Sequence, residues 1–339
     1  MATLRDVAGL ARVSTTTVSR LLSGDPGLVI PEETRDRILR AAEQVGYVSK
    51  SKPRSIGRFG IQRVGIVALG NEQWERDDPY FRSIRRGIEQ ESRRLGFSDS
   101  VHVDWFEQIQ SYVQFNNFDG LIVVGDNRVA AEHFRHRDQR VVFVDHCPDI
   151  DRYDSVVVDF ARATYSVLDH LTALGHTRIA YMGGVRDYGM EDARLHEYRG
   201  YMAFKGRYRR EDEHIADGWL ISSGYDMAQE CMSQGNLASA FMIASDPMAI
   251  GAIRAFTEAG IRVPEDVAVV GFDDVDVAAF VTPPLTTVHV PTEIMGCTAL
   301  NILVDGVGGH SLPMQVTLPT ELKIRESCGV KLASLVQGG

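Results

Sequence analysis

From Arg63 onward the chain switches repeatedly between short apolar runs and longer stretches of helical periodicity, and no other feature constrains the fold as strongly. The runs are VGIVAL, GLIVVG, RVVFVD, SVVVD, RIAYMGG, SAFMIAS and DVAVVGFDD. Between them lie PYFRSIRRGIEQESRRLGF (apolar at Phe81, Ile84, Ile88 and Leu95), FARATYSVLDHLTALG, a helix through Tyr198 and Phe204, and DPMAIGAIRAFTEAG. Strands alternating with helices at this spacing predict parallel sheets with helices on both faces. Residues 62–330 are too many for one such core, so two α/β lobes are expected.

Residues 1–47 carry only helical signals. Thr3 is a candidate N-cap with Asp6 in capping-box position, and Leu4, Val7, Ala8 and Ala11 make one apolar face. Ser14 is a second N-cap, followed by TTTVSRLL with Val18, Leu21 and Leu22 facing inward. Pro31 is placed at the first position of a third helix, with Glu32 and Glu33 suiting its N-terminal dipole. Ile38, Ala41, Ala42 and Val45 form its buried stripe, and Gly46 stops it. Three short helices with a tight first turn make a helix-turn-helix. The outward face of the second helix shows Thr15, Thr16, Ser19 and Arg20. An arginine there suits a bidentate pair with guanine, and threonines offer a hydroxyl and a methyl to base edges. Ser14 and Thr17 are better placed for phosphates, which fix position without reading sequence. On pattern alone, a solvated face of some other three-helix domain stays open.

Charge supports the functional reading. The 339 residues carry a net −10, yet residues 1–58 hold ten Lys/Arg against six Asp/Glu. A basic head on an acidic body suits a protein that meets phosphates at one end only. The segment VSKSKPRSIGRFG, within 48–61, has the composition of a linker. The tail at 331–339 has Leu332 and Leu335 but no sustained heptads, which argues against a tetramerising helix. Cys147, Cys231, Cys297 and Cys328 show no ligand spacing, so structural thiols are expected, with no metal and no cofactor. Neither a long apolar run nor a signal peptide is read, so the expectation is a cytoplasmic protein without a membrane partner.

In folds of this class ligands lie beyond the C-terminal strand ends. Asp145, Asp246, Asp273 and Asp274 stand there, and carboxylates accept paired hydrogen bonds from vicinal hydroxyls. The rings of Tyr80, Phe81 and Trp219 suit the apolar face of a sugar. Taken singly, each aspartate also reads as a helix cap and each ring as core.

TLRDVAGLARVSTTTVSRLLSGDP with EETRDRILRAAEQVGY resembles the headpiece of the LacI/GalR bacterial repressors. IASDPMAIGAIRAFTEAGIRVPEDVAVVGFDD and VTPPLTTVHV resemble their effector domain, which has the periplasmic sugar-binding fold. The resemblance spans residues 3–325. It implies Thr15, Thr16 and Arg20 as base readers, with Arg12 standing where many members have the turn glycine. It implies a hinge that becomes helical on DNA and wedges a side chain into the minor groove, at Ile56 beside Arg54. Pro53 and Gly57 depart from the usual hinge, so a hinge helix and a flexible basic tether both stay open. For the effector it implies Asp145, Arg194 (with a subgroup's spacing to Tyr198), Trp219, Asp273, and Ser245 where an asparagine is common. DDPYFRSIRRGIE, PPLTTV and IMG are most similar to the ebg-operon type of repressor, which controls a β-galactosidase.

The expected protein is a homodimeric repressor that binds double-stranded operator DNA, at the nucleoid when bound, and responds to a small sugar such as a galactoside. It is not expected to be an enzyme. Three alternatives remain at this level. One keeps the DNA reader and takes a nucleobase or phosphosugar. Another is a sugar-acting enzyme using Asp273, Asp274 and the acids near Arg194, although no nucleophile elbow, P-loop or zinc motif is present. A solute-binding protein is disfavoured by the headpiece and the missing signal peptide.

Overall fold

The structure, a computed structural model, describes residues 3–22, 30–45, 47, 63–68, 79–96, 101–105, 118–125, 134, 139–185, 191–235, 237–305 and 312–329. Gly46, the expected hinge at 48–61 with Arg54 and Ile56, and the tail at 331–339 lie outside the described residues.

The headpiece helices are α1 (Leu4–Ala11), α2 (Thr15–Leu22) and α3 (Glu32–Gln44). The capping box forms as the spacing predicts: Thr3 N donates to Asp6 Oδ2 at 2.7 Å and Asp6 N to Thr3 Oγ1 at 3.4 Å. Arg12 ends α1 in the left-handed region, at φ 51°. Thr17 N donates to Ser14 Oγ at 3.0 Å, the second cap. Pro31 falls one residue short of its expected place inside α3. Its carbonyl accepts from the amides of Thr34 and Arg35, so it closes the first turn from outside. Val7, Ala8, Ala11, Val18, Leu21, Leu22, Ile38, Ala41 and Ala42 form the buried core. Four of these nine are alanines, so the core is thin and caps worth about 1 kcal/mol each matter. Arg37 Nε donates to the Ala11 carbonyl at 2.8 Å, tying α3 to the end of α1.

Two six-stranded sheets follow. The first contains β1 (Val64–Ala68), β2 (Val101–Trp105), β3 (Gly120–Val124), β4 (Arg140–Val144), β5 (Asp154–Val158) and β11 (Gln315–Leu318), in the order β11-β5-β4-β3-β1-β2. Its helices are α4 (Pro79–Leu95) and α9 (Thr292–Asp305). The second contains β6 (Ile179–Gly184), β7 (Glu213–Ala216), β8 (Ala240–Ile243), β9 (Ala268–Asp273), β10 (Thr286–His289) and β12 (Glu321–Lys323), in the order β12-β10-β9-β8-β6-β7. With it go α5 (Phe160–Ala173), α6 (Ala193–Phe204), α7 (Ile221–Ser233) and α8 (Asp246–Glu258). Pairing is parallel from β1 to β5 and among β6 to β10, while β12 runs antiparallel to β10.

Each unit is discontinuous. Among the described residues the first draws on those up to residue 68, on 84–156 and on 293–316, and the second on 79–83, 157–292 and 317–329. The second core is built on Met182, Phe241, Ile243, Met248, Phe256, Val269 and Leu285. There α7 and α8 meet backbone to backbone, because a Cβ on Gly224 would strike the Met248 carbonyl and one on Gly251 the Ile221 carbonyl. The apolar runs locate the interior strands. β2, β7, β11 and β12 escape them, and all four are sheet edges. An edge strand needs no continuous apolar run, and the alternation of VHVDW and the half-exposed EHIA reflect that.

Candidate functional site

Two sites are built by different means. The first is the outward face of α2. Thr15, Thr16, Ser19 and Arg20 are exposed, while Val18, Leu21 and Leu22 anchor the helix from beneath. Thr17 is half-buried, and its Oγ1 lies 2.8 Å from Ser14 Oγ, so these two hydroxyls hold each other at the helix entry. An exposed hydroxyl face with one arginine, on a helix whose start is fixed by a cap, has the size and chemistry for a major groove.

The second site collects at the C-terminal ends of β6, β8 and β9 in the second sheet. Arg194 is its centre and is buried. Asp192 caps α6 by accepting from the Arg194 amide at 2.8 Å. The same carboxylate takes Arg194 Nε at 2.8 Å and Nη2 at 2.7 Å, a bidentate pair. Arg194 Nη1 donates to the Ala244 carbonyl at 2.5 Å, at the end of β8. The guanidinium carbon lies 4.9 Å from the Phe272 ring centroid, 5.1 Å from Trp219 and 5.3 Å from Phe160. Burial alone depresses an arginine. The Asp192 carboxylate, then Tyr181 and Asp273, outweigh burial and hold Arg194 above its ordinary range, so it stays charged. Three of its five N–H groups have these protein acceptors.

Trp219 is half-buried, and its Nε1 donates to the Val185 carbonyl at 3.2 Å. Gly184 lets the indole lie flat against β6, since a Cβ there would sit 2.7 Å from the ring. Ser245 Oγ accepts from Met248 N at 3.5 Å and so caps α8, as a strand-end serine commonly does. Asp246 is fully buried at the first turn of α8. Its Oδ1 accepts from Thr287 Oγ1 at 2.6 Å and its Oδ2 from Val275 N at 2.9 Å. Burial pushes its carboxyl up to about 7, against the lowering effect of those two donors. Asp273 ends β9 at φ 111° and Asp274 follows at φ 59°. Non-glycine residues held at positive φ cost of order 1–3 kcal/mol each and persist only where the surroundings over-determine them.

In the first unit, buried Asp145 follows β4 at φ 78°, and its amide donates to Val156 O at 3.0 Å. Tyr80 and Phe81, which count with the second unit, open α4 with their rings edge to face, centroids 5.2 Å apart. Arg194, Trp219, Ser245, Asp246 and Asp273 are thus brought to one set of strand ends. The sequence reading missed Asp192, Phe160 and Phe272. Asp192 carries a signal, as an aspartate two residues ahead of Arg194 at a helix start; the two phenylalanines read as ordinary core. Among the described residues, no group of three or more His, Cys, Asp or Glu is placed to hold a metal. None of the described helices is long and apolar enough to cross a membrane.

Residues 3–50 match the family of bacterial regulatory proteins named for lacI, and residues 168–328 match the periplasmic binding protein-like domain. The chain is 40% identical to the HTH-type transcriptional repressor MelR of Bacillus subtilis (strain 168), over 97% of this chain and 98% of that protein. Among solved structures it resembles the transcriptional regulator CelR in complex with cellobiose, at 28% identity and TM-score 0.72, over 96% of this chain and all of that one. The lac repressor dimer bound to operator and an anti-inducer shares the fold, at 24% identity and TM-score 0.71, over 96% of this chain and 99% of that one.

Proposed function

The chain belongs to the lacI family of bacterial regulatory proteins and is a DNA-binding transcriptional repressor rather than an enzyme, and from that premise we propose that it is released from or held on its operator by a small neutral sugar. The observation that carries the sugar reading is the Arg194 cluster. A buried guanidinium seated among three rings, with Asp273 at the same strand ends, offers donors and acceptors beside apolar faces. That is what a polyol ring presents in reverse. The effector set is Tyr80, Phe81, Asp145, Arg194, Trp219, Ser245 and Asp273, with Asp246 behind them. A β-galactoside is the first choice, from the likeness to the ebg-operon type. The CelR–cellobiose complex makes β-linked glucosides the second. A phosphosugar fits less well, because Asp192 and Asp273 together already exceed the charge of Arg194.

On DNA, the protein works as a homodimer, in keeping with the dimeric lac repressor on its operator. Each headpiece reads one half-site with Thr15, Thr16, Ser19 and Arg20, and Ser14 and Thr17 meet phosphates. Arg54 and Ile56 extend the contact into the minor groove. The headpiece ends near residue 47 and the effector body starts near residue 62. The protein acts in the cytoplasm, at the nucleoid while operator-bound.

The test is thermal shift of the full-length protein against methyl β-galactoside, methyl α-galactoside, lactose and cellobiose. A ligand at 100 times its Kd adds about 2.7 kcal/mol of stability. A sugar that shifts the melt and alters operator affinity supports the reading. No shift with any of them, alongside a shift with a purine base, overturns it.

A further inference from the structure

The turn after β9 is held by more bonds than a surface turn requires. Asp273 and Asp274 both have positive φ, and Asp273, at 111°, lies beyond the small left-handed region that aspartate tolerates. Three groups fix the turn. Val275 N donates to buried Asp246 Oδ2 at 2.9 Å. Arg325 Nη2 donates to Asp274 Oδ1 at 2.6 Å, while its Nη1 donates to the Leu285 carbonyl at 2.7 Å. His289 Nδ1 lies 3.0 Å from Asp274 Oδ2. Asp246 is itself wedged in place. Thr287 Oγ1 donates to its Oδ1 at 2.6 Å, and Gly271 has no Cβ because one would strike that oxygen.

We propose that Asp246, seated by Thr287 and Gly271, and the Arg325–Asp274–His289 clamp are positioning residues that hold the Asp273 carboxylate in a strained pose ready for the effector. Asp246 is therefore not a ligand of the sugar. It links the two strand ends, because it follows Ser245 on α8 and grips the turn after β9 through Val275. The inference rests on the reading of Asp273 as an effector residue, and it assigns to four neighbours a role that reading does not give them. A fixed carboxylate spares the ligand the cost of ordering the turn, so loosening the grip weakens binding without removing any direct contact.

The test has two arms on the full-length protein. In the first, hydrogen exchange is followed at the amides of residues 273–275 without any ligand. Thr287→Val and Asp246→Asn are expected to speed exchange there at least tenfold and to leave the headpiece amides unchanged. Thr287→Ser, which keeps the hydroxyl, restores protection. Unchanged exchange at 273–275 in both variants overturns the clamp, whether or not a sugar binds. In the second arm, methyl β-galactoside, lactose and cellobiose are titrated calorimetrically. A tenfold or greater rise in Kd for Thr287→Val, rescued by Thr287→Ser, is the expected result. A Kd within twofold of wild type in Thr287→Val and Asp246→Asn, while Asp273→Ala abolishes binding, overturns the positioning role. If Asp273→Ala itself binds normally, the effector reading of Asp273 falls, and the positioning role falls with it. Asp246→Asn that fails to fold leaves Thr287→Val, a near-isosteric change, to decide.

Discussion

The α2 face and the Arg194 cluster, the two proposed recognition sites, are built in opposite ways. On α2 the reading side chains are exposed, adjacent in sequence and supported only by a thin core beneath them. At the second sheet the Arg194–Asp192 pair is buried and already engaged, and the cluster around it draws on distant positions 160, 219, 272 and 273. The proposed ligands account for the difference. A groove of DNA supplies its own shape and charge, so the protein needs only a projecting helix. A small sugar supplies few contacts, so the protein must prepay desolvation and ordering by fixing its groups beforehand.

That contrast is open to attack, first at its largest expected effect. Arg194→Ala should abolish the sugar response and also destabilise the second unit by about 3–5 kcal/mol, because the buried Asp192 carboxylate would lose its guanidinium. Calorimetric melting and sugar titration check this together. A variant that loses sugar binding with an unchanged melt would show that the cluster is not fixed before the ligand arrives. Arg20→Ala should do the reverse. Operator discrimination should fall by about 1–3 kcal/mol, measured by competition with a base-substituted site, while the melt stays within about 0.5 kcal/mol. Equal discrimination in variant and wild type removes Arg20 from the readers.

A pH-dependent effect concerns Asp246. Its folded carboxyl sits near 7 against an ordinary value of 3.8, so between those values the folded state holds a proton the unfolded chain has lost. Its contribution to stability therefore declines from about pH 4 to about pH 7 and is level above. The wild-type-minus-Asp246→Asn difference in stability should follow that course. A difference curve that rises across the window contradicts the dominance of burial over its two donors for this carboxylate. The smallest effect is expected at Arg12. With φ at 51°, Arg12→Gly should relieve left-handed strain of order 1 kcal/mol, offset by the greater freedom of glycine in the unfolded chain. Exchange of the α1 amides measures the balance, and a loss beyond 1 kcal/mol would mean that the Arg12 side chain makes a stabilising contact.

The same contrast explains what the sequence discloses. The headpiece is legible because its signals are local: Thr3 with Asp6, Ser14 with Thr17, and the apolar spacing of Val18, Leu21 and Leu22 all act within one or two helical turns. Arg194 and Asp273 were reachable through family likeness, yet nothing near Phe160 or Phe272 distinguishes a ring beneath a guanidinium from any core ring. Edge strands hide for a related reason. Their residues answer to solvent on one side, so β7 and β12 lack the apolar run that marks β8 or β9. The role of Asp246 is set by Thr287, Gly271 and Val275, none of them near it in the chain, and is visible only once β9, β10 and α8 are assembled.

The discontinuity of the two units has a consequence for biosynthesis. β11 and β12 supply one edge of each sheet and are separated by only two residues, Pro319 and Thr320. A ribosome that has made everything through α9 has therefore completed neither sheet. Both must wait for the same short stretch of message before their last ladders close. A nascent chain of this kind carries two open sheet edges until late in synthesis. A premature stop just after α9 would cut across both units at once rather than sparing either one.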